Sequence, residues 1–329
     1  MSTFTGTITQ TARPEGSGRA RVFLKRLRSG DEIAHLITLI FALFIFLITC
    51  LLVYELYLHS AIPRHRFGWH FLVSRVWDPV FEQFGALPFI YGTLVTSALA
   101  LLIAVPLGVG GAIFLAEFAP TRISDSLTFV VELLAAVPSV IYGLLGIFIV
   151  IPLLRDPVDP FLQKHLGFLP LFQGPIYGVG FLAAGLVLAI MIVPFILSIS
   201  REVLLAVPTE QREAALAVGA TRWESTWQVV VPYARAGILG SIFLALARAL
   251  GETMAVTMVI GNTPQISASL FAPGYSIAAV IANEFTEATG PAYLESLIAL
   301  GLVLFILTII LNGLARLLIL ATTRRGTAH

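Results

Sequence analysis

The sequence is poor in charge, cysteine and lysine. Only 12% of its 329 residues are Asp, Glu, Lys or Arg, against about 25% in ordinary soluble domains. Hydrophobic residues make up 57%, and mean hydropathy is +0.92. This composition excludes a water-soluble globule and a disordered chain alike. The single cysteine, Cys50, sits in an apolar run, so neither an internal disulfide nor a cysteine-built metal site is available. His35, His59, His65, His70, His165 and His329 are scattered without ligand spacing, and no metal is expected. Lys25 and Lys164 follow Leu24 and Gln163, so neither completes the Gly-Lys-Ser/Thr of a phosphate-cradling loop. A Gly-x-Ser-x-Gly elbow and a His-Glu-x-x-His pair are also lacking. No catalysis and no cofactor of its own are expected of this chain. A net charge of +1 provides no bulk attraction to nucleic acid.

Long apolar runs are what the chain has instead. They fall at about 33–58, 89–118, 127–154, 175–200, 237–260 and 293–320, each long enough for the roughly 20 residues a membrane span needs. The first is too long for a signal peptide and lacks a small-residue cleavage site, so it is expected to stay as an anchor. The expectation is an all-α polytopic protein with six transmembrane helices in a lipid bilayer. Fourteen Lys and Arg residues fall on one side of such a layout and five on the other. The positive-inside rule then puts both termini in the cytoplasm. The resulting plan has a flexible cytoplasmic tail at 1–32, a first span at 33–58 and a periplasmic connection at 59–88. A core follows at 89–320, containing a cytoplasmic loop at 201–235, and a cytoplasmic tail closes the chain at 321–329.

Pro106, Pro138 and Pro194 interrupt apolar runs, and glycines gather at 108–111 and 143–146. Two readings stand side by side: close helix packing, or broken helices along a path.

The loop at 201–235 carries the sharpest pattern. Thr209 after Pro208 is placed to cap a helix with Glu210 and Glu213 near its start, and Gly219 is placed to end it. Thr221 and Glu224 then form a capping box for a second helix. A helix–turn–helix at the membrane surface is expected, its face kept shallow by Ala214 and Ala215.

Glu213-Ala214-Ala215, three residues, Gly219, nine residues, then Val229, Val231 and Pro232 resembles the EAA loop of ABC-importer permeases. Valines stand where that pattern has Ile and Leu. The stretches around Phe84–Leu94, Glu132–Leu144 and Ala247–Asn262 resemble the PstC-type permease of the phosphate-specific transporter. The resemblance implies a type I ABC-importer permease core in a bacterial inner membrane, preceded by an extra span. It also implies that Glu213, Ala214, Ala215, Gly219 and Pro232 couple to an ATP-hydrolysing subunit. The implied partners are a PstA-like second permease, a PstB-like ATPase dimer that holds ATP and Mg, and a PstS-like periplasmic or extracellular phosphate-binding protein.

Arg248 and Glu252 are spaced i, i+4, which puts both on one face of the fifth helix. An arginine at mid-membrane costs roughly 2.5 to 3.5 kcal/mol on insertion scales. It either neutralises the glutamate or meets an anion through its guanidinium fork. Ser139 and Tyr142, beside Pro138, are the other candidates for a substrate path, and Glu132 is either a helix-end residue or part of that path. Glu117 and Glu295 are expected to be solvated at span ends, and Trp69, Trp77 and Tyr91 to anchor the membrane interface. Three alternatives remain open at this level: a permease for sulfate or molybdate, an ion-coupled secondary transporter, and a membrane sensor or scaffold.

Overall fold

The structure, a computed structural model, describes residues 31–324, with side chains over 34–317. Most of the expected 1–32 tail lies outside the described residues, as do positions 325–329. Residues 1–55 and 56–329 form two separate units.

Helix α1 (Asp31–Leu58) runs mostly through the first unit. Most of its described side chains are apolar and exposed, Leu36, Phe41, Phe44 and Phe46 among them, which suits a helix facing lipid.

The second unit holds five further helices long and apolar enough to cross a membrane. After the short helices α2 (Ala61–Arg66) and α3 (His70–Val73) come α4 (Leu87–Phe118), α5 (Thr121–Ala135) and α6 (Ser139–Leu166). Next are α7 (Phe181–Leu205), α8 (Thr209–Ala217) and α9 (Arg222–Leu250), then α10 (Met254–Thr257), α11 (Ile277–Glu284) and α12 (Pro291–Arg324). Among the described residues there is no strand, only an isolated bridge between Asp78 and Gln83.

Several boundaries differ from the sequence expectation. The run at 127–154 is two helices, because Val137 precedes a proline that lacks an N–H and is extended at φ −58°, ψ 140°. Its membrane-length part is α6. The fourth helix starts at Phe181, since Gly178 and Gly180 hold the preceding chain at positive φ. The fifth ends at Leu250, inside the apolar run, and begins far earlier at Arg222. At the chain's end, helix continues to Arg324 instead of giving way to a tail at 321.

Three prolines in the long helices lie at turns where the spiral widens, whereas Pro106 and Pro194 sit within regular α-helix. Turns of π type lie at Gly146–Val150, Leu154–Val158 and Thr226–Val230, beside or around Pro152, Pro157 and Pro232, whose rings are ill suited to a regular helical turn.

Helix α7 is central. Phe181, Leu188, Ile192, Ile196 and Leu204 along it are fully buried. Lipid tails are as apolar as leucine, so close van der Waals contact, not escape from water, holds such helices together. Glycines supply that closeness between α4 and α7. A Cβ at Gly108 would meet Ile196 at 2.8 Å, and one at Gly185 would meet Leu99 at 2.5 Å. Packing is thus what these glycines do. Ser200 on α7 and Ser241 on α9 add a buried hydrogen bond of 2.8 Å, a kind of contact worth about 0.6 kcal/mol in membrane helices.

Away from the α8 end, α2, α3 and the segment before α4 pack onto α11 and α12. Trp77 donates its indole N–H to Glu284 at 2.9 Å, and Tyr293 donates to the same oxygen at 2.7 Å. Trp77 also meets Phe84 and Phe89 edge-on at 4.9 and 4.8 Å. It is therefore an internal anchor of this layer and not an interface residue. Tyr91 likewise turns inward, donating to the Ser267 carbonyl at 2.6 Å, whereas Trp69 is exposed. Glu295 accepts from the Ile62 N–H at 2.7 Å, so it fixes α2 onto α12 instead of sitting in solvent. Burial pushes the nearby Tyr275 hydroxyl up to about 12, which keeps it protonated throughout the physiological range.

At Gly92, a Cβ would run into the backbone carbonyl of Tyr275, whereas at Gly110 on the same helix it would meet nothing within 4 Å. Gly92→Ala is expected to destabilise the protein by about 1–3 kcal/mol, since backbone cannot yield as a side-chain tip does. Gly110→Ala should leave thermal stability in detergent unchanged or slightly higher. Equal melting temperatures for the two variants would contradict this account of α4.

Candidate coupling hairpin and transport path

The hairpin is built by local chemistry. Pro208 sets the entry to α8 at φ −55°, ψ 138° and itself occupies the cap position. Thr209 is the first helical residue and makes no side-chain cap, so the expected threonine cap is not formed. Gly219 has φ +92° and reverses the chain, a conformation that costs glycine nothing and costs other residues strain. Thr221 accepts from the Glu224 N–H at 3.3 Å, and Glu224 accepts from the Thr221 N–H at 2.8 Å, closing the capping box that starts α9. No second break intervenes, and α9 runs through its π turn into the apolar span. The hairpin is thus continuous with that span.

Glu213, Ala214 and Pro232 are exposed, and Ala215 is half-buried. Leu216, Val218 and Trp223 add exposed apolar surface, Val218 to 86%. Apolar side chains grouped around small ones form a surface suited to a partner.

The opposite face of α8 is tied down by Arg212. Its guanidinium donates from Nη2 to Glu117 Oε1 at 2.9 Å and from Nε to both Glu117 oxygens at 3.3 and 3.4 Å. It also donates to the carbonyls of Val207 at 2.5 Å and Leu204 at 2.7 Å, in and just past the last turn of α7. Both side chains are largely buried, 19% and 11% exposed. Glu117 is therefore paired and not solvated. Arg201 on α7 makes a second tie, donating to Ser124 Oγ of α5 at 3.1 Å, while Ser124 donates to the Leu115 carbonyl at 2.8 Å. Neither tie is visible in the sequence, because no spacing rule connects positions 77 or 95 residues apart.

The expected path residues lie around the end of α9. Arg248 is exposed, and its guanidinium is 5.8 Å from the ring centre of Phe195, roughly midway along α7. The shared helix face expected for Arg248 and Glu252 does not exist. The helix stops at Leu250, Glu252 accepts instead from the Ala255 N–H at 3.2 Å, and the two side chains form no ion pair. The helix beginning at Met254, α10, packs against the first turn of α6, which starts at Ser139. Tyr142 is buried and donates to the Leu134 carbonyl at 2.6 Å, securing α6 to the last turn of α5. Glu132, exposed in that turn, belongs to α5 and not to a span. Thus a non-helical stretch, Gly251 to Thr253, interrupts the apolar run just after Arg248, which makes no ion pair among the described residues. Irregular backbone survives at membrane depth only when covered by protein or lining a water-filled cavity.

At the end distant from the hairpin, a hollow of about 710 Å³ lies between the segments before α7 and after α10. Gly174, Thr263, Gln265, Ser267 and Ser269 are among its walls, and none of its lining residues is charged. Among the described residues no group of three His, Cys, Asp or Glu side chains is placed to hold a metal ion.

Residues 108–323 match the family described as binding-protein-dependent transport system inner membrane component. A phosphate transport system permease protein PstC of Mesorhizobium japonicum is 46% identical over 97% of this chain and 99% of its own. Another PstC, from Xylella fastidiosa, is 51% identical over 78% of this chain and 81% of its own. The fold is that of a bacterial ABC transporter for the acidic polysaccharide alginate, with TM-score 0.57 at 18% identity, covering 90% of this chain and 98% of that one. Hairpin, fold and kinship agree: the chain belongs to the binding-protein-dependent inner membrane transport components, in the group of PstC-type permeases.

Proposed function

We propose that this chain is a permease subunit of an ATP-driven importer and forms half of an alternating-access path for inorganic phosphate. The observation that carries the reading is the exposed EAA hairpin, on a chain akin over nearly its full length to proteins named as phosphate permeases. In this assembly a PstA-like permease supplies the other half of the path, a PstB-like ATPase dimer binds ATP and Mg and receives the hairpin, and a PstS-like protein delivers phosphate. The hairpin then lies in the cytoplasm with both termini, in keeping with the arginines at 201, 212, 222 and 235. The uncharged hollow at the other end faces the delivering protein.

Within the membrane we assign the anion path to the break after Leu250. Arg248 has no carboxylate partner among the described residues and sits over the Phe195 ring, which leaves its fork available to phosphate oxygens. Glu252 shapes the turn into α10, and Ser139 and Tyr142 line the adjoining start of α6.

The test uses the assembled four-component transporter in liposomes, with labelled phosphate outside and ATP inside. ATP-dependent phosphate uptake is expected to resist uncouplers and excess sulfate or molybdate. Uptake of labelled sulfate or molybdate in place of phosphate would reassign the substrate, and sensitivity to uncouplers would point to ion coupling. In the same assay Arg248→Gln, alone or with Glu252→Gln, should assemble yet lower uptake by roughly tenfold or more, because the double variant also lacks the anion's partner. Near-normal uptake by the assembled double variant would remove both residues from the path.

Gly219→Val tests the hairpin. No neighbour lies within 4 Å of a Cβ there, so the positive φ is the only obstacle. The variant is expected to insert normally while losing ATPase association and uptake together. Co-purification and uptake at wild-type levels would contradict the coupling assignment.

A further inference from the structure

We propose that Arg212 is the residue that transmits motion from the ATPase-facing hairpin to the membrane helices, by making α8 move as one body with the ends of α4 and α7. The proposal rests on the importer reading above. Helix α8 connects to its neighbours by short irregular links, through Ala206–Pro208 to α7 and through Gly219 to α9. Backbone connectivity alone leaves such a helix free to tilt about both links. Arg212 removes that freedom. One planar guanidinium spends Nε and Nη2 on the Glu117 carboxylate at the end of α4, and Nη1 and Nη2 on the terminal carbonyls of α7. Those carbonyls lie at and just past a helix end, where regular helical donors run out, although Leu204 also accepts from the Val207 N–H at 3.2 Å.

The direction of transmission follows from the partners. Helix α8 leads by sequence into α9 and packs against its opening turns, and Arg212 adds a polar anchorage to α4 and α7, the pair joined most closely through Gly108 and Gly185. A push on Glu213-Ala214-Ala215 therefore reaches the α4–α7 pair directly, and that pair carries Phe195, over which Arg248 sits. Because the contact needs a fork with donors in three directions, lysine cannot replace it. An ammonium is a compact charge that reaches one partner well. Arg201 binds the same layer but joins α5 to α7 and does not touch α8, which makes it the proper comparison.

The experiment uses the complete transporter in liposomes and measures complex recovery, ATP hydrolysis and phosphate uptake for wild type, Arg212→Lys, Glu117→Gln and Arg201→Gln. Arg212→Lys and Glu117→Gln should assemble and hydrolyse ATP at near wild-type rates, while phosphate moved per ATP falls by about tenfold or more. The ratio should hold for Arg201→Gln. An unchanged ratio in the first two variants overturns the proposal. So does loss of assembly in both, which makes the pair a structural staple, and so does an equal fall in Arg201→Gln, which makes the effect a general loosening of the layer. Failure of the importer reading shows separately, as a wild-type complex that moves no phosphate.

Discussion

Hydrocarbon offers a backbone no hydrogen-bonding partner, and every departure from regular helix in this protein must answer to that constraint. Where Pro152, Pro157 and Pro232 withdraw a donor, the chain widens into π turns instead of opening. Where α9 stops at Leu250, Glu252 takes up the Ala255 N–H in the first turn of α10. Where α7 ends, Arg212 supplies donors to its last carbonyls. The sites assigned to transport and coupling are the places where the helical pattern fails and side chains complete it.

Close packing and selective looseness go together here. Glycines at 92, 108 and 185 let backbones approach to a distance no side chain permits, and they fix α4, α7 and the segment before α11 as a dense centre. Around that centre the contacts are sparser. Arg248 lies exposed beside the break, and the hairpin presents Val218 and Trp223 outward. Such a division, with a stiff middle and accessible ends, is suited to a rigid-body rearrangement between two packings.

How much of this was legible in the sequence depended on the range of the interaction. The turn at Gly219 and the capping box of Thr221 and Glu224 are determined within four residues, and they formed as their residue types dictate. Apolar length revealed the spans but not their ends. The run at 237–260 is mostly apolar on both sides of Gly251, so its hydrophobicity conceals the break, and the i, i+4 spacing of Arg248 and Glu252 implies a shared face that does not exist. Trp77, Glu117 and Glu295 were read as surface residues because their partners, Glu284, Arg212 and Ile62, lie far away in the chain. Only the folded arrangement shows these pairings.

The claim on which the coupling account turns is that α8 and the α4–α7 pair behave as one rigid body. Spin labels at Gln211 on α8 and Phe114 on α4, both exposed, would report on it by pulsed electron resonance, in a Cys50→Ala background within the assembled transporter. The account predicts that this distance differs by less than about 2 Å between nucleotide-free and ATP-trapped states, as within a single moving body. Labels at the same position on this chain and on the ATPase-proximal end of the second permease should meanwhile shift relative to one another. A change of several ångströms between Gln211 and Phe114 on ATP binding would contradict the account, because the hairpin would then be moving against the helices that Arg212 is said to hold.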